Sequence, residues 1–374
     1  MRVAVLGAGG TIGPGIVRDL AGSEEASELL LLDLDLDRAE AAAAEHGRGK
    51  ARAASADAGA GAGEPGSLAD VIDDCDALIN SASYRFNVQV MDACLEAGCH
   101  YLDLGGLYWL TAEQMRVFAP EGRDRFAEAG LLAVLGIGSA PGKTNLMALR
   151  ARRELGEVDS IHVSAAGRDL DPPPGFSVPY ALRTLIDELT LNPVVIRDGE
   201  AVEIEPLSDG GVVDFGDPIG EAESIHTLHS EMLTFPDSFG CREVSFRLSL
   251  APKLLARLRE LATASAEEVA RAATEAQPPS ANTVSVHLVE ASGGDRAVRV
   301  RSVTSPVERF GIGGGVVSTA APAAATVRLL ARGAIAERGV LPPERCIDPD
   351  DLFPELERRG SKFDVEIAEG APRA

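Results

Sequence analysis

Gly7, Gly10 and Gly13 stand at three-residue spacing just after the apolar run Arg2-Val3-Ala4-Val5-Leu6, and Asp33 follows Gly13 by twenty residues. Glycines in such a turn accept positive φ and let the backbone approach a ligand closely. The backbone around Thr11, Ile12 and Gly13 then opens a helix whose free N–H groups are donors for an anion. A second apolar run, Leu29-Leu30-Leu31-Leu32, ends on Asp33, where a carboxylate accepts hydrogen bonds from ribose hydroxyls. Strand, glycine turn, helix, strand and terminal acid make one half of a dinucleotide-binding fold. Ile12 sits where the commoner Gly-x-Gly-x-x-Gly pattern has its last glycine, so the spacing here is Gly-x-x-Gly-x-x-Gly, with Gly9 as an extra. Asp33 also repels a 2′-phosphate: like charges about 4 Å apart cost ~1 kcal/mol in water and ~4 kcal/mol at an effective dielectric near 20. Asp35 and Asp37 crowd the same corner and Arg38 is the one nearby cation. NAD is the expected cofactor, NADP the less favoured one.

The elements that position these residues alternate. After Asp33 the pattern reads as helix 37–45, a weak strand 50–55 ending near Asp57, a glycine- and alanine-rich loop Ala58–Gly66, and a short helix 67–74. It goes on through strand 76–80, helix 87–97, strand 100–104, helix 123–129 and strand 131–137. Such alternation predicts a parallel sheet with helices on both faces, a doubly wound α/β Rossmann fold. Ligands then bind beyond the carboxyl ends of the strands. That puts Asn80-Ser81-Ala82 and Asp103-Leu104-Gly105-Gly106 at the mouth, with Asp57 beside the cofactor.

From about residue 156 the pattern changes. The segments 157–165, 243–250, 283–290 and 297–304 alternate like strands with one solvated face, with helices at 182–189 and 253–261 between them. A second, α+β domain with a mostly antiparallel sheet is expected over 151–314, and the first domain, 1–150, is expected to be completed by 315–350.

The net charge of −23 argues against nucleic acid or an anionic membrane as partner. The five cysteines have no Cys-x-x-Cys spacing and read as reduced, mostly buried residues. The sequence reads as having no apolar run near eighteen residues and as starting directly on a strand, so neither a spanning helix nor a signal peptide is expected and the expected location is the cytoplasm. His226 and His229 lie three apart, but no third histidine or cysteine stands near them, so no metal is expected.

The combined motifs resemble the saccharopine dehydrogenase-like oxidoreductases, and within them the lysine 6-dehydrogenase type. The residues carrying the likeness are Val5-Leu6-Gly7-Ala8-Gly9-Gly10, Asn80-Ser81-Ala82-Ser83-Tyr84-Arg85-Phe86-Asn87, Tyr101-Leu102-Asp103-Leu104-Gly105-Gly106, Ala140-Pro141-Gly142-Lys143-Thr144-Asn145 and the stretch 332–340. The resemblance implies a small-molecule oxidoreductase acting on the CH–NH2 or CH–NH group of an amino acid, and a homo-oligomer joined through the substrate-domain sheet. Lysine 6-dehydrogenase-like oxidative deamination is the first expectation. Reductive condensation of an amine with an aldehyde, as in saccharopine- or carboxynorspermidine-forming enzymes, is the second, and a non-catalytic NAD(P) sensor the third.

Dehydrogenating an amine needs a base beside the hydride acceptor. Asp103, at a strand end, either holds a substrate ammonium or caps the glycine turn that follows it. Tyr84 either reaches the ribose or substrate or packs in the core, and Asn87 reads chiefly as a helix N-cap. Histidine is the side chain suited to proton transfer near neutral pH, so His229 is a candidate acid–base group. Lys143, one of only four lysines, reads as a solvated side chain or as a cation for a substrate carboxylate, with Asn145 beside it in the same motif. The resemblance places substrate contacts around Tyr180 and Arg183. The segment His226–Glu231 departs from what lysine 6-dehydrogenases lead one to expect.

Overall fold

Val3, Ala4, Val5 and Leu6 are all buried, as are Leu29 to Leu32 two elements later, so the first two strands are covered on both faces. Continuous apolar runs of this kind suit central strands of a parallel sheet. The computed structural model describes residues 1–60, 66–307 and 311–369. Residues 61–65 of the expected Ala58–Gly66 loop lie outside them. The chain divides into two units, Met1–Lys143 with Thr319–Leu356, and Thr144–Ser318 with Glu357–Ala374.

The first unit runs β1 (Arg2–Leu6), α1 (Gly13–Ala21), β2 (Glu28–Asp33), α2 (Leu36–His46), β3 (Ala51–Ser55), α3 (Leu68–Val71), β4 (Ala77–Asn80), α4 (Asn87–Ala97), β5 (His100–Asp103), α5 (Leu107–Phe118), α6 (Arg125–Glu128) and β6 (Leu132–Val134). Its strands lie side by side in the order β6-β5-β4-β1-β2-β3, all neighbours parallel, and a late strand, Gly339–Leu341, adds to β6. The chain winds outward from β1 to β3 and then resumes on the other side at β4. The switch point between β1 and β4 is where ligands of such sheets bind. α5 was not anticipated. Its buried positions are Thr111, Gln114 and Phe118, so two of the three inward residues are polar and the apolar periodicity is missing.

α7 (Lys143–Leu155) leads into the second unit. There follow β7 (Ser160–Asp169), α8 (Leu182–Thr190), β8 (Val194–Arg197), β9 (Glu200–Glu203), β10 (Asp209–Asp214), β11 (Glu221–His226), α9 (Glu231–Phe239), β12 (Glu243–Ser249), α10 (Pro252–Ala262), α11 (Ala266–Glu275), β13 (Thr283–Gly293) and β14 (Arg296–Thr304). After them come α12 (Gly314–Ala331), β15 (Gly339–Leu341), α13 (Pro349–Glu357) and β16 (Ser361–Glu369). The second sheet has the order β10-β11-β12-β7-β13-β14-β16, and only β12 and β7 are parallel within it. β8 pairs with β12 and β9. The strands β8 to β11 and the returning strand β16 are additions to what the sequence predicts.

α12 corrects one expectation. It is long and apolar enough by composition to cross a membrane, yet 78% of its span is buried within the protein, as a core helix is. One cation is carried inside with it. Arg328, 2% exposed, meets both carboxylate oxygens of Asp19 on α1 at 3.2 and 3.3 Å and Glu355 on α13 at 2.8 Å. Arg332, one turn on, reaches Glu25 at 2.7 Å and Glu355 at 2.9 Å from a 45% exposed position. Removing one partner from a buried ionic group leaves uncompensated charge. Arg328→Met should therefore lower stability by about 3–5 kcal/mol, whereas Arg332→Met should cost no more than ~1 kcal/mol. Urea unfolding of the two variants against the parent checks the difference.

Candidate functional site

The glycine turn between β1 and α1 is set by close approach. Gly7 has φ +79°, and a Cβ there would lie 2.7 Å from the backbone nitrogen of Ala82, beyond the end of β4. A Cβ on Gly13 would lie 2.4 Å from the carbonyl oxygen of Gly7 and 2.7 Å from Cα of Ala8. Gly10 would meet only the Gly7 oxygen, at 3.1 Å, so its outer side is clear of protein. The turn is tied down by N–H bonds from Gly7 and Ala8 to Leu32 O (2.8 and 3.0 Å) and from Gly10 to Gly7 O (3.0 Å). Ser81 donates its hydroxyl to Leu6 O at 2.7 Å, locking the β4 end to the β1 end. α1 starts with Pro14 in its first turn and no side-chain cap. Pro14 has no N–H and Gly15 N donates to Ile12 O at 2.9 Å, which leaves the N–H of Gly13 at the helix start for an external acceptor. An uncapped helix start behind a backbone cradle that side chains would fill suits a dinucleotide diphosphate.

Asp33 closes the same corner. Its Oδ2 accepts from Gly9 N at 3.0 Å and its Oδ1 from Asp35 N at 3.2 Å. Arg38 lies against Gly9 as well, since a Cβ there would come 2.6 Å from Cβ of Arg38, and its guanidinium donates to Gly9 O. The corner thus presents a carboxylate and a guanidinium together. Asp57 is exposed, and its Oδ1 accepts from Gly59 N at 2.8 Å, an Asx turn after β3. Thr11 is exposed and Ile12 half-buried at the helix start.

At the ends of β4, β5 and β6 sits a polar hub. Asp103 is buried, and its Oδ1 accepts from the N–H groups of Gly105 (2.8 Å) and Gly136 (2.7 Å). Its Oδ2 accepts from Gln114 (2.8 Å), Tyr101 OH (2.9 Å) and Asn87 (3.1 Å). Burial raises the Asp103 carboxyl above its ordinary range, and the bonds from Gln114 and Tyr101 oppose that rise. Of the two roles considered for Asp103, the geometry matches the cap on the glycine turn, widened to three strand ends. Asn87 is no helix N-cap: Phe86 holds that place, and the Asn87 amide instead links Asn80 (2.9 Å) to Asp103. Asn80 in turn accepts from Ala82 N at 3.1 Å, which ties the hub to the residue facing Gly7. Tyr84 is half-buried on a short 3-10 turn, with Arg85 5.4 Å from its ring centre.

Lys143 differs most from its reading as a solvated side chain. It is wholly buried at the head of α7, after a loop in which Lys143 N donates to Gly138 O (2.9 Å) and Gly138 N to Pro141 O (2.8 Å). Pro141 packs against Gly105 and Gly136, next to the Asp103 hub. Burial pushes the Lys143 ammonium down to about 7. Asn145 is buried one residue beyond Thr144.

In the second unit, Tyr180 OH donates to Glu188 at 2.6 Å, and Arg183, 57% exposed, stands 3.6 Å from Asp187. His229 is 7% exposed, stacked on Phe246 with ring centres 3.5 Å apart, and its Nδ1 lies 3.6 Å from Glu231. His226 Nδ1 is 3.1 Å from Phe246 O. Among the described residues no group of three or more His, Cys, Asp or Glu is arranged to hold a metal ion. Glu188, which follows Asp187 on α8, was not singled out in the sequence, and Glu231 stood there only as the acid that closes the His226–Glu231 segment.

The first unit is a dinucleotide-binding Rossmann domain. Residues 3–134 match the family described as "Saccharopine dehydrogenase NADP binding domain". The chain is similar to a carboxyaminopropylagmatine dehydrogenase of Synechocystis sp., with 30% identity over 171 residues, 42% of this chain and 39% of that protein. It is also similar to a carboxynorspermidine synthase of Vibrio alginolyticus, 33% identical over 96 residues, 24% of this chain and 23% of that one. These matches thus span well under half the length of either relative. A solved structure, apo saccharopine dehydrogenase (L-Glu forming) from Saccharomyces cerevisiae, shares the fold with a TM-score of 0.71 at 16% identity, covering 98% of this chain and 99% of that one.

The turn makes a direct prediction. Gly13→Ala, which forces a Cβ into Gly7 and Ala8, should weaken NADH binding by about 1–3 kcal/mol. Gly22→Ala, at the other end of α1 with nothing nearer than 3.5 Å to the added atom, should leave it unchanged. Fluorescence titration with NADH reads both.

Proposed function

We propose that the protein is an NAD(P)-dependent oxidoreductase acting at the C–N bond of an amine-bearing substrate, with Lys143 as the group that moves the proton. The observation that carries this reading is a wholly buried lysine immediately after the loop that packs on the strand-end hub of a dinucleotide-binding sheet. When bound, the nicotinamide supplies the hydride acceptor. The neutral amine of Lys143 takes the proton that the substrate nitrogen gives up as the C–N bond is oxidised. The iminium so formed on the substrate adds water and splits into a free amine and a carbonyl compound. Read backwards, the same steps condense an amine with an aldehyde and reduce the product, with the Lys143 ammonium as the acid. The names of the relatives, a carboxyaminopropylagmatine dehydrogenase and a carboxynorspermidine synthase, both denote carboxylated amines and favour this second direction with a di- or polyamine. Oxidative deamination of the lysine 6-dehydrogenase kind is the same chemistry with ammonia as the amine released. Five buried, unpaired cysteines support a reducing compartment, the cytoplasm.

The sign of the pH dependence follows from the depressed ammonium. Amine oxidation needs neutral Lys143, so its kcat/KM should rise as pH passes about 7 and level off above. Reduction needs the ammonium and should fall over the same range. Lys143→Met should cost roughly 100-fold or more in either direction, in line with the loss of a general acid–base group. An assay of NADH and NADPH oxidation with diamines plus an amino-acid semialdehyde, and of NAD(P) reduction with amino acids, tests the reading. No turnover with any pair would overturn it.

NAD is the proposed preference, because the Asp33 carboxylate at the glycine turn would repel a 2′-phosphate, although Arg38 shares the corner. Asp33→Ala should raise the NADP-to-NAD ratio of kcat/KM. An unchanged ratio would remove the argument for NAD.

A further inference from the structure

The second sheet carries a nucleophile and a base side by side, and the oxidoreductase chemistry proposed above uses neither. Its register pairs Ser245 on β12 with His162 on β7, and His162 with Glu290 on β13. Glu290 is paired in turn with Arg299 on β14. Side chains at paired positions of neighbouring strands share a face. Serine, histidine, glutamate and arginine therefore stand in one row across four strands. Each of the four is half-buried, so the row is reached from solvent.

Ser245 Oγ and His162 Nδ1 lie 2.8 Å apart. Burial holds the His162 imidazole below its ordinary pKa; Arg247 and His226 add to the fall, and Glu290 and Glu243 oppose it. The ring is thus neutral at neutral pH, and with its proton on Nε2 the serine hydroxyl donates to Nδ1. In that arrangement a histidine takes the serine proton as the oxygen attacks. Charged side chains flank the pair. Arg247, two residues beyond Ser245 and so on the same face, donates to Ser164 at 3.1 Å and to Glu290 at 3.2 Å. These bonds hold a guanidinium about 7 Å along the strand from the serine, a positive charge for an oxygen that turns negative under attack. Glu290, with Arg299 Nε 3.9 Å away on its other side, favours the imidazolium that forms.

We propose that Ser245 and His162 form a separate catalytic site, which transfers the acyl group of an activated ester to water. Ser245 Oγ bonds to the acyl carbon as its proton passes to His162 Nδ1. The bond from that carbon to the leaving oxygen breaks, and the imidazolium gives the oxygen its proton. A water molecule then bonds to the acyl carbon and yields a proton to His162. The bond to Ser245 breaks, the imidazolium reprotonates the serine, and a carboxylic acid leaves. No electron donor or acceptor enters, so the reaction is independent of the dinucleotide.

Reaction of the whole protein with a fluorophosphonate and, separately, with p-nitrophenyl acetate, each followed by peptide mass spectrometry, tests the assignment. The phosphonyl and acetyl adducts should fall on Ser245. Ser245→Ala should remove them, and His162→Gln should slow fluorophosphonate labelling by roughly 100-fold, the share a general base contributes. Labelling of the parent protein decides the matter even where a variant fails to fold. No adduct at Ser245 in the parent overturns the site, and so does an unchanged labelling rate in folded His162→Gln. The pair is then a cross-strand hydrogen bond and nothing more.

Discussion

The fold of the first unit depends on one contact: Gly7 lies so close to the backbone at Ser81–Ala82 that no side chain fits between them. β1 and β4 flank the switch point of the sheet, and their ends must meet for the ligand-binding crevice to have a floor. Gly13 repeats the constraint one helical turn later by holding α1 against Gly7 and Ala8. With both positions bare, the uncapped start of α1 stands over the strand ends at the distance backbone packing dictates. A cofactor diphosphate then meets N–H groups in place of side chains. The unusual glycine spacing is thus a packing requirement at its first and last members, and an opening at its middle one.

From that floor the order spreads sideways through hydrogen bonds. Ala82 N is held by Asn80, Asn80 by Asn87, and Asn87 by Asp103, which also takes the backbone of Gly105 and Gly136. A buried carboxylate with five donors is a satisfied group. Its cost of burial is offset where it lies, and it fixes three loops at the strand ends. Asp103 consequently serves by holding the strand ends in place.

How much of this was legible in the sequence varied with how the signal is carried. The glycine turn, β1, β2 and the parallel alternation stand out because a central strand is apolar at every position and a tight turn admits only glycine. α5 was not visible, because its buried face carries the polar Thr111 and Gln114, the latter donating to Asp103. α11 had a signal that went unread: Ser265 and Glu268 form a capping box at its start. The short strands β9 to β11 are mostly exposed and polar, so alternation fails to mark them, and β8 is an apolar run of only three buried residues. Burial of Lys143 could not be read from its neighbours, since a lysine after Pro-Gly suits a solvated helix start equally well. Glu188 lies 41 positions before His229 in sequence and comes within its electrostatic reach only through the packing of the second unit.

Buried charge divides this protein into scaffold and site. Arg328 is buried with Asp19 and Glu355 around it, and the three close on one another. Asp103 is buried with every oxygen engaged. Groups so matched stabilise their surroundings and have little left to offer a ligand. Lys143 and the pair Glu231–His229 are as deeply buried, but the lysine is pushed toward neutrality and the acid keeps an oxygen without a donor. A buried ammonium held down near neutrality and a buried acid oxygen without a donor are perturbed groups, and such groups cluster at functional sites.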